Sequence, residues 1–255
     1  MTKHLLWGLC LWIFAAWPAQ AQNTARKTDL QGLNIQGAVL SFEETWYLAD
    51  AAGQRGAVDR RMVYYVNEKG FFTLKKTYDA QGKLTLEEEY VFSENSGVLE
   101  WRRRQANGER SIRKTLSAYP SGNMSVAYWY NDQNQVTLKQ TFQEDDALNI
   151  ITLNEADANN ILKGGWKYQY NAQRHVLRSS RFDEAQNITY HTHYRYDQRQ
   201  DMIEMQSLGA ESGQLLFKST FQYLRYDQKG NWTSRRVSDQ TGKTIKIEER
   251  VFQYR

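Results

Sequence analysis

Tyr223 to Tyr254, YLRYDQKGNWTSRRVSDQTGKTIKIEERVFQY, is the stretch that decides how this chain is read. An aromatic-rich segment ends in Tyr226-Asp227-Gln228-Lys229-Gly230, and the next begins at Asn231-Trp232. Asp bonds its own turn backbone two residues on, and Gly accepts a positive φ. Between alternating segments the two residues mark a β-hairpin. The phrase returns as Tyr78-Asp79-Ala80-Gln81-Gly82 and more loosely at Tyr65, Tyr130, Tyr170 and Tyr196-Asp197. None of its residues amounts to catalytic chemistry, so the repeat specifies architecture.

Outward from this unit the turn signals keep time. Gly70, Gly82, Gly97, Gly108, Gly122 and Asn134 lie about 11 to 15 residues apart. After a break the beat resumes at Arg174, Asn187, Arg199, Gly213, Gly230 and Gly242. Intervals of this length suit consecutive antiparallel hairpins, because parallel strands need a crossover of about a dozen residues or more. Alternation agrees. Ile188, Tyr190, Thr192, Tyr194 and Tyr196 share one face, while Thr189, His191, His193 and Arg195 share the other. Val136, Leu138 and Phe142 fall together, as do Phe217, Phe221 and Tyr223, and Met124, Val126, Tyr128 and Tyr130 read as another apolar face. In Leu33 to Tyr47, Leu40, Phe42, Glu44 and Trp46 oppose Val39, Ser41, Glu43 and Thr45; Ala51 to Val58 reads as a loop. The expected fold is all-β: an antiparallel meander of repeated hairpins, as a curved sheet or an open barrel. Its aromatic face stacks across strands and its charged face is solvated.

One segment breaks the pattern. Gln143 to Gly165 lacks the aromatic alternation, and Asn154 followed by Glu155, Ala156, Ala158, Ile161 and Leu162 before Gly164-Gly165 predicts a short helix near 153–162. It reads as an insert, 143–165, within a single domain spanning 22–255.

Residues 1–21 have the three parts of a secretory signal peptide: a basic start, an apolar run from Leu5 to Trp17, and a small-x-small site ending at Ala21. That run is short of the roughly 20 residues a membrane span needs. The only cysteine, Cys10, lies inside it, so the mature chain has neither disulfide nor thiol chemistry. An exported chain of roughly 230 residues without cysteine fits a Gram-negative periplasm or secretion. Removing the leader takes one Lys from 33 basic residues, against 29 acidic. A net charge of about +3 is too balanced to imply nucleic acid.

The Tyr-Asp-x-x-Gly turns, with the closing YDQKGNW and IEERVFQY, resemble YD-repeat proteins of the Rhs type. More closely they resemble the small exported bacterial proteins built from degenerate copies of that repeat. The opening Leu33 to Val39, followed by Glu43 to Tyr47, is similar to the start of those proteins. The resemblance covers most of the mature chain and implies a β-repeat architecture. In large Rhs proteins it implies a shell around a toxin, but this chain is too short to enclose a cargo domain.

Candidate chemistry is sparse. His191 and His193 share a strand face with Arg195, yet a zinc site needs three or four ligands, and His175 sits beside a predicted turn. No metal or cofactor is expected. Glu87 and Glu89 share a face at roughly the spacing of a glycosidase pair, with Glu88 on the other side. Of Arg102, Arg103 and Arg104, the middle one points away from its neighbours, so no three-residue patch forms. Asp79, Asp197, Asp227 and Asp239 are accounted for by turns and lack the six to eight oxygens calcium takes. Trp129 and Trp232 are candidates for stacking on sugar rings, against packing within the aromatic ladder. No nucleophile triad or phosphate loop occurs. The expectation is a non-enzymatic envelope scaffold binding a protein or a glycan. The alternative is a periplasmic carrier of an apolar ligand in an open barrel, with the 154–162 helix as a lid.

Overall fold

A computed structural model describes residues 28–92, 99–116, 124–147 and 149–255. The expected leader, 1–21, and the turn signals Gly97 and Gly122 lie outside the described residues. Strands β1 (Val39–Ala49), β2 (Arg55–Val66), β3 (Phe72–Asp79), β4 (Leu84–Phe92) and β5 (Leu99–Gln105) come first. Next are β6 (Arg110–Leu116), β7 (Met124–Tyr130), β8 (Val136–Glu144), β9 (Ile150–Ala156), β10 (Leu162–Tyr170) and β11 (Val176–Phe182). β12 (Ile188–Tyr196), β13 (Met202–Gly209), β14 (Leu215–Tyr226), β15 (Trp232–Ser238) and β16 (Thr244–Tyr254) complete the sheet. Every strand pairs antiparallel with its chain neighbour, and β1 also pairs with β16, Phe42 opposite Phe252 and Glu44 opposite Arg250. The meander is therefore a closed barrel, where the sequence suggested a curved or open sheet. Closure removes the free edges that an open meander leaves.

One turn geometry closes most hairpins. Asp79 Oδ1 accepts from the N–H of Gln81 and of Lys83, at 3.0 and 2.9 Å. The same pair of acceptances recurs at Asp50, Asn67, Asn131, Asp157, Asp197 and Asp227. The residue two before the returning strand then takes a left-handed conformation, as at Gly82 (φ 78°) and Gly230 (φ 87°). Where glycine is missing, Asn134, Asn160, Arg174, Gln186 and Gln200 adopt it instead. The late signals at Asn187 and Arg199 are thus one residue away from the left-handed positions.

The expected helix near 153–162 does not form, and no insert interrupts the barrel. Leu153 and Asn154 lie in β9, paired with Phe142 and Thr141 on one side and with Trp166 and Gly165 on the other. Asp157 is another turn residue, with Asn160 left-handed at φ 63°. Gly165 is a close-packing site: a Cβ there would lie 2.1 Å from the Leu153 carbonyl oxygen. The sequence offers the same residues as a helix cap and stop, and strand pairing on both sides overrides that local preference. The loop expected at 51–58 is shorter, since β2 begins at Arg55.

Alternation sorts the side chains as the barrel requires. Phe42, Trp46, Tyr64, Phe72, Tyr90 and Trp101 form one buried cluster, with Trp129, Phe252 and Tyr254 packed against it. Phe42 stacks on Tyr64 (4.4 Å between centroids) and Tyr90 on Trp101 (5.7 Å), and Trp101 meets Trp129 at a tilt (5.0 Å). β7 departs from the sequence reading. Its buried residues are Ser125 and Ala127, whereas Met124 is exposed. Small residues there leave interior room for side chains from β6 and β8.

Chain segment 28–38 crosses the mouth at which β1 starts and β16 ends. It opens with α1 (Asp29–Gly32), a single helical turn with a capping box between Thr28 and Gln31. Asp29 accepts from Phe72 N–H, Asn34 donates to Arg199 O and Asp201, and Gln36 exchanges hydrogen bonds with Asn231. Three separate hairpin turns are thereby tied together.

Candidate ligand-binding interior

The repeated tyrosines have a role that the turn phrase alone does not reveal. Tyr170, Tyr196 and Tyr223 each send the hydroxyl to a backbone carbonyl of the preceding strand, at Ile150 (2.8 Å), Val176 (3.0 Å) and Met202 (2.8 Å). Tyr226 donates to Asp201, and Tyr254 donates to Asp227. Burial raises the pKa of all five phenols, so they stay protonated donors. Tyr78, in the same phrase at the opposite mouth, instead faces outward under the Arg61 guanidinium, 4.5 Å from the ring centroid. Asp79, Gly82, Asp197, Asp227 and Gly230 are turn residues throughout.

Trp232 is buried, 4% exposed, between two arginines: Arg250 lies 3.7 Å and Arg235 4.3 Å from its ring centroid. Sugar stacking is closed to it. Trp129 is partly buried against the aromatic cluster.

His191 and His193 lie on the outer face with Arg195. The two His191 nitrogens already meet Ser180 Oγ (2.8 Å) and Arg178 (2.7 Å). Partial burial, then Arg178, then His193 push its pKa down. Among the described residues no group of three His, Cys, Asp or Glu is placed to hold a metal. Glu87 and Glu89 are outer ion-pair partners of Lys76, Arg104 and Arg102, while Arg103 turns inward to Glu88.

Interior charge is the feature that sequence reasoning missed, having read the charged residues as a solvated face. It falls into two networks. At the closing seam, β14–β16 and β1, Glu44 accepts from Arg250 Nε and Trp46 Nε1, each at 2.6 Å. Arg235 donates to Glu248 at 2.6 Å and to the Tyr223 hydroxyl. Burial alone would raise the Glu44 pKa; Arg250, Arg235 and the hydrogen bonds from Trp46 and Arg250 hold it below the ordinary value. Burial would lower that of Arg235, and Glu248 more than reverses this.

The second network lines β3–β8 and is differently furnished. Glu88, 1% exposed, is ion-paired with Lys75 at 3.0 Å and Arg103 at 3.7 Å, but its oxygens accept no directed hydrogen bond. Arg113, 0% exposed, leaves β6 on the rung of Trp101 and Trp129 and reaches β8. Its Nε donates to Gln140 at 3.2 Å, and the guanidinium lies 5.1 Å from the Phe142 ring centroid. β7 contributes only the Ala127 methyl on the Gln140 rung. Both terminal nitrogens of Arg113, the Tyr90 hydroxyl and Ser125 Oγ are buried without a hydrogen-bond partner. Burial lowers the Arg113 pKa to about 10, so it stays charged at neutral pH. Unpaired buried donors of this kind cost roughly 1–3 kcal/mol each, more for a charge.

No protein-family model matches the sequence, and no curated protein matches it. Three solved structures are among those similar to it. A porin-like protein from Bacteroides uniformis is 10% identical over 84% of this chain and 96% of that one, with a TM-score of 0.36. TcdB2-TccC3 without its hypervariable C-terminal region is 14% identical over 70% of this chain and 11% of that one, at 0.23. A DUF1329 family protein from Desulfovibrio piger is 8% identical over 85% and 86%, at 0.26.

Proposed function

We propose that the chain is a non-enzymatic carrier of the bacterial envelope, exported by its leader, that takes an apolar ligand into the barrel interior. One observation carries this reading: the β3–β8 wall combines buried aromatic rings with polar groups that have no protein partner. A scaffold gripping glycan or protein through exposed rings fits less well, because Trp101, Tyr90 and Trp232 are turned inward. The outer face suits water. It carries cross-strand ion pairs such as Arg61–Glu43, Lys76–Glu87 and Lys218–Glu204, where a bilayer-spanning barrel presents an apolar band. No helix among the described residues is long and apolar enough to cross a membrane.

Titration of the mature chain with N-phenyl-1-naphthylamine, excited through tryptophan, tests the proposal. Saturable one-site energy transfer from Trp101 and Trp129 is expected. A folded barrel that takes up no apolar probe would remove it.

A further inference from the structure

We infer that the carried molecule has an oxyanion head, a carboxylate or a phosphate, seated on the two terminal nitrogens of Arg113 with the Tyr90 and Ser125 hydroxyls as further donors. This rests on the carrier reading and specifies its ligand. Arg113 is fully buried and charged, yet Nη1 and Nη2 have no partner, and the same holds for Tyr90 Oη and Ser125 Oγ. All four atoms are donors suited to an acceptor-only group, and a guanidinium offers two parallel N–H bonds that match a carboxylate or phosphate edge.

The surrounding charge agrees. Lys75, Arg103 and Arg113 face inward on β3, β5 and β6, and Glu88 is the buried carboxylate among them, already paired with the first two. Glu144 on β8 is also buried and makes an interaction of its own. Of the three inward cations, Lys75 and Arg103 share the one carboxylate of Glu88, and Arg113 is the one without an ion pair. Phe142, Trp101 and Trp129 supply an apolar surround for the body of the ligand.

This geometry distinguishes a binding arginine from a structural one. At the seam, Arg250 and Arg235 have carboxylates within 2.6 Å. Arg113 has none, and its one hydrogen bond goes to a neutral amide through Nε, which leaves the fork free. Replacing a purely structural buried arginine destabilises a fold. Replacing one that awaits an anion relieves the ligand-free fold instead.

The test uses the mature chain, delipidated and refolded, with displacement of bound N-phenyl-1-naphthylamine by palmitate, hexadecanol, lysophosphatidate and inorganic phosphate. Palmitate or lysophosphatidate should displace the probe at least tenfold better than hexadecanol; whichever does so identifies the head as carboxylate or phosphate. Arg113→Met should abolish that preference, keep probe binding, and raise the ligand-free melting temperature by about 2–4 °C. Tyr90→Phe with Ser125→Ala should weaken the preference without altering the fold, which keeps the test decisive if Arg113→Met does not fold. Equal displacement by palmitate, lysophosphatidate and hexadecanol overturns this inference while leaving the carrier intact. Failure of the probe to bind the folded wild-type chain overturns the carrier reading itself. Displacement by inorganic phosphate alone, at matched concentration, overturns the requirement for an apolar body.

Discussion

The closing seam and the β3–β8 wall are built from the same ingredients, buried arginine, carboxylate and aromatic ring, and use them in opposite ways. At the seam each arginine has its carboxylate: Arg250 with Glu44, and Arg235 with Glu248, with Trp232 between the two guanidinia. On the wall, Arg113 has two idle nitrogens and Glu88 holds its cations without directed hydrogen bonds. Satisfied networks fix a unique arrangement, and here that arrangement is the pairing of the first strand with the last. Unsatisfied ones cost stability, and a fold that retains such groups has a use for them outside its own packing.

Truncating a seam carboxylate should have the largest effect. Glu44→Ala leaves Arg250 buried and unpaired and should lower the unfolding free energy by about 3–5 kcal/mol, read by urea denaturation. Adding Arg250→Met should recover most of that loss; a double variant as unstable as the single one would mean that shape, not charge pairing, governs closure. On the wall the sign reverses: Arg113→Met should melt above wild type when ligand-free, and a variant that melts well below it would make Arg113 a seam-like residue.

The segment across the mouth adds a pH dependence. Burial pushes the Asp29 carboxyl up to about 7, with the Phe72 N–H acting against it. Its unfolded value is near 3.9, so the folded chain binds more protons in between. The stability that Asp29 contributes is complete below about pH 4 and is lost as pH rises through about 7. Asp29→Asn should flatten that decline while keeping an acceptor for Phe72; urea midpoints at pH 5 and pH 8 that still differ as much as in wild type would show otherwise. The smallest effect is expected at a turn. Gln186 has φ 66°, and Gln186→Gly should stabilise by about 1 kcal/mol in thermal melts, since a left-handed side chain costs roughly that much.

The hairpin beat was legible because turn chemistry is local: Asp and Asn acceptors and glycine at the left-handed position state each reversal within five residues. Alternation in β12, and in β1 from Phe42 to Trp46, was legible for the same reason; at the start of β1 a register shift buries Val39 and exposes Leu40, the reverse of the expected faces. Closure was not, since Phe42 opposite Phe252 is a pairing across the whole chain that no local pattern encodes. The residues of β9 looked helical because Asn154 and Gly164-Gly165 carry the same residue types that cap and end helices. The wall was the hardest part. In β7 Met124 and Val126 suggested the apolar face, while the buried residues are Ser125 and Ala127, with Arg113 buried beside them on β6. A small residue beside a long charged one reads as solvent-facing in sequence, and only the register shows Ala127 making room for Arg113 to reach Gln140.

Native mass spectrometry of the chain purified from the envelope without denaturation would show whether the interior carries a ligand. An adduct of roughly a few hundred daltons, removed by organic solvent, is expected, lost in Arg113→Met and kept in a Lys76→Gln control on the outer face. A folded chain at its bare sequence mass that also fails to take up added palmitate or lysophosphatidate would contradict the carrier reading.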